Sequence, residues 1–192
     1  MFAGHFGLAA AVKAKTPQVP LWTLMLGTQL LDVLFVPFLL TGKETLEAVP
    51  GADGYGGFII HADYTHSLVG TLLLALIVGW LASLKWGRRG GWTIGAVVLS
   101  HWVLDLAMHR ADMPIFPGNA RDLPLLGLGL WQWPSISMAA ELALVTVGAI
   151  LYVRSLPAAG NASIIRSRKL WTGAAMCALL LLSLASDTLG WG

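Results

Sequence analysis

"HADYTHSLVGTLLLALIVGWLASL", residues 61–84, holds two histidines and an aspartate in its first six positions and nothing ionisable from Leu68 to Leu84. A charge-free run of this length approaches the roughly 20 apolar residues that cross a bilayer core. The spacing therefore predicts a transmembrane helix over about 64–84 with its polar start at one membrane face. Similar runs cover about 21–40, 92–109 and 135–153, and a shorter one covers about 170–186. The 192-residue chain is 56% hydrophobic and 11% charged, less than half of the roughly 25% charge usual in soluble domains. The expectation is an all-α, multi-span transmembrane helix bundle of about five spans, forming a single integral membrane domain over 1–192.

The stretch "MFAGHFGLAAAVKAK", residues 1–15, is apolar but short, and its lysines follow the apolar part. A secretory signal has the opposite order, so a short helix dipping into the membrane is expected. A formal net charge of +2 gives no reason to expect nucleic acid. The single cysteine, Cys177, excludes a disulfide framework or a cysteine-based zinc ribbon.

Basic residues set the orientation. Lys13, Lys15, Lys85, Arg88, Arg89, Arg154, Arg166, Arg168 and Lys169 fall on one side of a five-span arrangement; Lys43, Arg110 and Arg121 fall on the other. The first side is read as cytoplasmic, in a cell or plasma membrane. The irregular stretches 41–62 and 110–134 then lie outside the cytoplasm, and "LPLLGLGLW" (123–131) is apolar enough to rest on the outer leaflet or close over a site.

Ionisable side chains inside a bilayer cost several kcal/mol or more and demand a partner or a function. The spans hold Asp32, His66, His101, Asp105, His109 and Glu141, and His5 lies in the short first helix. In "SHWVLDLAMHR", His101, Asp105 and His109 recur every fourth residue, so they form one helical stripe stacked roughly 6 Å apart. Imidazole and carboxylate converging at this spacing suit a metal ion, and they also suit a hydrogen-bond ladder between helices. Counted from the cytoplasmic basic residues, Asp32 lies roughly 16 Å up its helix, His101 roughly 15 Å and His5 roughly 12 Å. His66 enters from the opposite face and Glu141 lies about six residues inside its span, so all can converge in the outer half of the bundle. Asp63 or Thr65 can cap the helix that follows; His61 is a loop residue free to fold over as a ligand.

With those residues placed, the chain resembles the LexA-regulated, membrane-bound metal-dependent hydrolases. That family has a histidine near the N-terminus, an acidic "PDxD"-type motif, then "HRGxTHS", then a helical "HxxxD". The corresponding residues here are His5 in "AGHFG", Asp32 in "TQLLDV", His61, Thr65, His66 and Ser67 in "HADYTHS", and His101 with Asp105. Ala62 stands where the family has arginine, and only the last acidic residue of the first motif is kept. The resemblance covers about residues 1–110 and is distantly similar to zinc-dependent phospholipase C and single-strand nucleases.

The resemblance implies a hydrolase, with a phosphoester or an amphiphilic lipid as substrate. One to three divalent ions, zinc by preference, would be held by His5, Asp32, His61, His66, His101 and Asp105. Asp63 and His109 are candidates to shuttle a proton or to support a ligand, and Glu141 is a candidate base. The competing expectation is an ion or proton-coupled channel or transporter using the same cluster. There is no Walker-type loop, nucleophile elbow or nicotinamide fingerprint.

Overall fold

The computed structural model describes residues 1–51, 57–156 and 162–189, with side chains throughout except at 162–170 and 187–189. Arg166, Arg168 and Lys169, counted above among the cytoplasmic basic residues, therefore have side chains outside the described residues. The chain is mainly helical, as expected. Its helices are α1 (Phe2–Lys15), α2 (Leu21–Thr28), α3 (Leu30–Leu40), α4 (Leu68–Met108), α5 (Pro134–Ser155) and α6 (Ala162–Leu189). The loop 41–62 also carries a small antiparallel hairpin of β1 (Thr45–Ala48) and β2 (Phe58–His61), with Thr45 opposite His61. This strand pair has no counterpart in the helical periodicity from which the fold class was read.

Among the described residues, two helices are long and apolar enough to cross a membrane, α4 and α5, or three if the bent pair α2–α3 counts as one. The count of five separate spans is not reached by that measure, for two physical reasons. The run 21–40 is interrupted at Gln29, where α2 and α3 meet at 49°. The runs 64–84 and 92–109 are joined into one element of 41 residues, α4. At 1.5 Å per residue a straight α4 would be about 60 Å long, twice a bilayer core of about 30 Å. It is not straight. Gly87 takes φ +67°, a left-handed conformation that suits glycine, and the chain turns back there.

The two halves of α4 then pack backbone to backbone. A Cβ on Gly79 would lie 3.0 Å from the Gly91 carbonyl oxygen, and one on Gly95 would lie 2.9 Å from that of Ala75. Small residues at facing positions permit this approach, as they do between transmembrane helices generally. Val19, in the turn after α1, packs beside Trp86 and Gly90. The basic residues Lys13, Lys15, Lys85, Arg88 and Arg89 therefore gather at one end of the bundle.

Helix α1 is no surface helix. Its Ala3, Gly4, His5, Gly7, Ala9 and Ala10 are buried, and it packs against α5, α2 and α6. It runs parallel to α5, with Gly4 beside Leu144 and Gly7 against Val145 and Gly148. A Cβ on Gly148 would lie 2.0 Å from the Gly7 carbonyl oxygen. This absence of side chains lets α1 sink far enough into the bundle for His5 to reach the residues of α4.

The stretch 110–134 folds back over the other end of α4. Met113 and Leu126 pair through reciprocal backbone bonds of 3.0 and 2.7 Å. The amides of Leu128 and Gly129 donate to the carbonyls of Leu106 and His109 at 2.8 and 2.7 Å.

A candidate metal centre

The break between α2 and α3 supplies the first anchor. Ending a helix at Thr28 leaves its carbonyl without an intrahelical donor. The Nδ1 of His101, fully buried on the second half of α4, meets that carbonyl. A carbonyl can only accept, so Nδ1 carries the proton and the Nε2 lone pair of His101 points away from Thr28. One residue after the break, α3 begins, and Asp32 sits in its first turn. A carboxylate is favoured there by the amide dipoles of the helix start.

His66 is set from the opposite side. It precedes α4, which is capped by Ser67 accepting from the Gly70 amide at 3.2 Å. The cap is thus neither Asp63 nor Thr65: Ser67 is the residue whose hydroxyl stands one turn before a free helix-start amide. Thr65 instead contacts Glu44 and the Nδ1 of His66, at 2.9 and 3.0 Å. The indole of Trp102 donates to the His66 carbonyl at 2.7 Å, which fixes the backbone beneath the imidazole and accounts for a mid-span tryptophan.

These anchors bring donor atoms together. His66 Nε2 lies 3.2 Å from His101 Nε2 and 3.4 Å from Asp32 Oδ1. His101 Nε2 lies 3.5 Å from Asp32 Oδ1 and 2.9 Å from Asp105 Oδ2, and His66 Nε2 lies 3.7 Å from that same oxygen. Around a tetrahedral zinc with bonds of about 2.0–2.1 Å, ligand atoms lie about 3.3–3.4 Å apart. The three edges among His66, His101 and Asp32 fall close to that value. His5 extends the group from α1: its Nε2 is 3.1 Å from Asp105 Oδ1, and its ring stacks on His101 with centroids 4.1 Å apart. His5, His101 and Asp105, and likewise Asp32, His66 and His101, can each converge on a metal ion. Asp105 belongs to both neighbourhoods, one oxygen towards His5 and the other towards His101.

Hydrogen bonding alone leaves this arrangement unresolved. With its proton on Nδ1, His101 turns the bare Nε2 towards Asp105 Oδ2 at 2.9 Å, so an acceptor meets a carboxylate in a buried site. Such a group requires a cation, either an extra proton or a metal ion. The site is enclosed on most sides, while the Asp32 side chain keeps 34% of its surface exposed and marks the open one.

The other candidates occupy different places. His109 ends α4 with its Nε2 3.9 Å from Asp105 Oδ2, and its ring packs on Trp131 with centroids 4.4 Å apart. Its Nδ1 donates to Asp112 Oδ1 at 2.9 Å, and the other oxygen of Asp112 accepts from the Ile60 amide at 3.2 Å. His61 lies at the end of β2, its half-exposed imidazole 3.2 Å from Glu47 and outside the converging groups. Asp63 is part-exposed, and its carbonyl accepts from the Gly118 amide at 2.8 Å. Glu141 is fully buried on the face of α5 that carries Ser137, Val145 and Gly148, and it too lies outside those groups.

Two acids escaped the sequence reading. Glu44 and Asp112 are buried to 1% and 4% exposure although both lie in loops. A loop acid is ordinarily solvated, and no periodicity marks it; only the fold reveals that each supports a histidine. Comparison with family models, curated proteins and solved structures finds no match to this chain.

Proposed function

We propose that the protein is a multi-pass membrane enzyme, a metal-dependent hydrolase whose site lies in the half of the bundle away from the basic residues. The observation that carries this reading is a pair of ligand triads meeting at His101, one of Asp32, His66 and His101, the other of His5, His101 and Asp105. Its mixed imidazole and carboxylate donors suit zinc among divalent ions. A bound divalent ion would supply Lewis-acid polarisation and acidify a water towards neutrality. The residues of this chain do the rest. Asp32 stands at the open side where a substrate oxygen can enter. His109, held by Asp112, keeps its Nε2 near Asp105 as a proton acceptor or donor. The substrate class is a phosphoester or amphiphilic lipid ester, admitted from the outer leaflet.

The chain crosses the membrane five times in this reading. The bent α2–α3 pair makes the first crossing, the halves of α4 the next two, α5 the fourth and α6 the fifth. The basic end faces the cytoplasm. An ion path would need polar groups continuing through that end. Between it and the site lie Ala9, Leu24, Ala82, Ile94 and Val97, a packed apolar cluster with no ionisable member. This favours a closed pocket over a channel or transporter.

The test is a panel of phosphoester and lipid-ester substrates in detergent with added Zn²⁺. Hydrolysis is expected from the parent and is expected to fall at least 100-fold in Asp32→Asn and His66→Ala. Hydrolysis that survives both substitutions would place the chemistry elsewhere.

A further inference from the structure

Glu44 is fully buried without a cation against it among the described residues. Its carboxylate is satisfied instead by one short segment. Oε1 accepts from the amides of Tyr64 and Thr65, both at 2.8 Å, while the Thr65 hydroxyl lies 3.1 Å from Oε1 and 2.9 Å from Oε2. With both amides on Oε1, the contact of Oε2 among the described residues is the Thr65 hydroxyl. On its other side, that hydroxyl lies 3.0 Å from His66 Nδ1.

We propose that Glu44, acting through Thr65, sets the tautomer of His66 and so keeps its Nε2 available as a metal ligand. This rests on the metal reading above and deepens it. A threonine hydroxyl has one proton to give, and a carboxylate can only accept. Donated to Glu44, that proton leaves only lone pairs for His66, so Nδ1 must be the protonated nitrogen. Nε2 then presents its lone pair to His101, Asp32 and Asp105. Were the tautomer reversed, an Nε2–H would point at Asp32 and occupy the coordination site. Glu44 is thus a positioning residue that touches neither metal nor substrate. It also links the turn after α3 to the start of α4, so the loop that carries it and the metal site form together.

The test replaces the acceptor by a donor. In Glu44→Gln, the amide oxygen can keep the two backbone amides, while the amide nitrogen donates to the Thr65 hydroxyl. Thr65 must then donate to Nδ1, and His66 changes to the Nε2–H form. Nitrogen NMR of metal-free, ¹⁵N-histidine-labelled protein in detergent reads this directly, the His66 signals being those absent from His66→Gln. The expected result is Nδ1–H in the parent and in Thr65→Ser, and Nε2–H in Glu44→Gln. Zn²⁺ affinity should weaken 10–100-fold in Glu44→Gln and in Thr65→Val, the usual range for partners of a ligand histidine, with Thr65→Ser close to the parent. Thr65→Val keeps the Tyr64 and Thr65 amides on Glu44, so it serves if Glu44→Gln does not fold. Nε2–H in the metal-free parent, the parental tautomer in Glu44→Gln, or parental affinity in Glu44→Gln and Thr65→Val would overturn the proposal. A tautomer that responds as expected in a protein that binds no Zn²⁺ would uphold the relay and refute the metal reading instead.

Discussion

At the scale of single residues, the two histidines of "HADYTHS" have different roles. His66 faces His101 across 3.2 Å, whereas His61 pairs with Glu47 at the hairpin edge. His61→Ala is therefore expected to keep parental metal content and activity, while His66→Ala loses both; equal losses in elemental analysis would contradict this division. Trp102→Phe removes the indole bond to the His66 carbonyl and leaves that buried oxygen unpaired. The expected cost is about 1–3 kcal/mol in thermal or denaturant unfolding, with weaker metal binding. His101 and Asp105 were legible in the sequence because four-residue spacing inside an apolar run is conspicuous. Glu44 and Asp112 were not, since their burial depends on loops whose path no local pattern encodes. Asp63 looked like a helix cap by composition, but Ser67 takes that place because the helix begins later than the apolar run suggests.

At the scale of elements, glycines and breaks decide which side chains meet. The interruption at Gln29 frees the Thr28 carbonyl for His101 and places Asp32 at a helix start. The sequence showed one apolar run there, because nothing in hydropathy distinguishes a straight span from a bent one. Gly148 and Gly7 bring α1 and α5 into backbone contact. Gly148→Ala has no room for its Cβ and is expected to lower stability by about 1–3 kcal/mol. It should also weaken metal binding by drawing His5 away, measurable by Zn²⁺ titration beside His5→Ala. Gly87→Ala differs in kind: nothing lies within 4 Å of its added Cβ, so only the left-handed backbone resists. A cost of about 1 kcal/mol with unchanged metal affinity is expected there.

At the scale of the whole molecule, four parts of the chain supply the cluster: α1 gives His5, α3 Asp32, the turn before α4 His66, and the last turns of α4 His101 with Asp105. The apolar runs made the helical class legible, and the depth of each polar residue made their meeting legible. The basic break around Lys85, Arg88 and Arg89 also marked the fold-back of α4, as two separate runs; what the runs could not convey was how tight the turn is, with non-helical backbone only at Trp86 and Gly87. Sidedness can be checked with single cysteines in a Cys177→Ser background. Lys43→Cys is expected to react with an impermeant maleimide on intact cells, and Arg88→Cys only after permeabilisation. The central claim is that the cluster of His5, Asp32, His66 and Asp105 around His101 holds a metal ion, and elemental analysis of the purified protein tests it most directly. The expected result is at least one zinc or similar divalent ion per chain, falling below one tenth in His101→Ala and Asp105→Ala that remain folded. A folded parent that stays metal-free after Zn²⁺ is supplied, or variants that retain the parental amount, would contradict it.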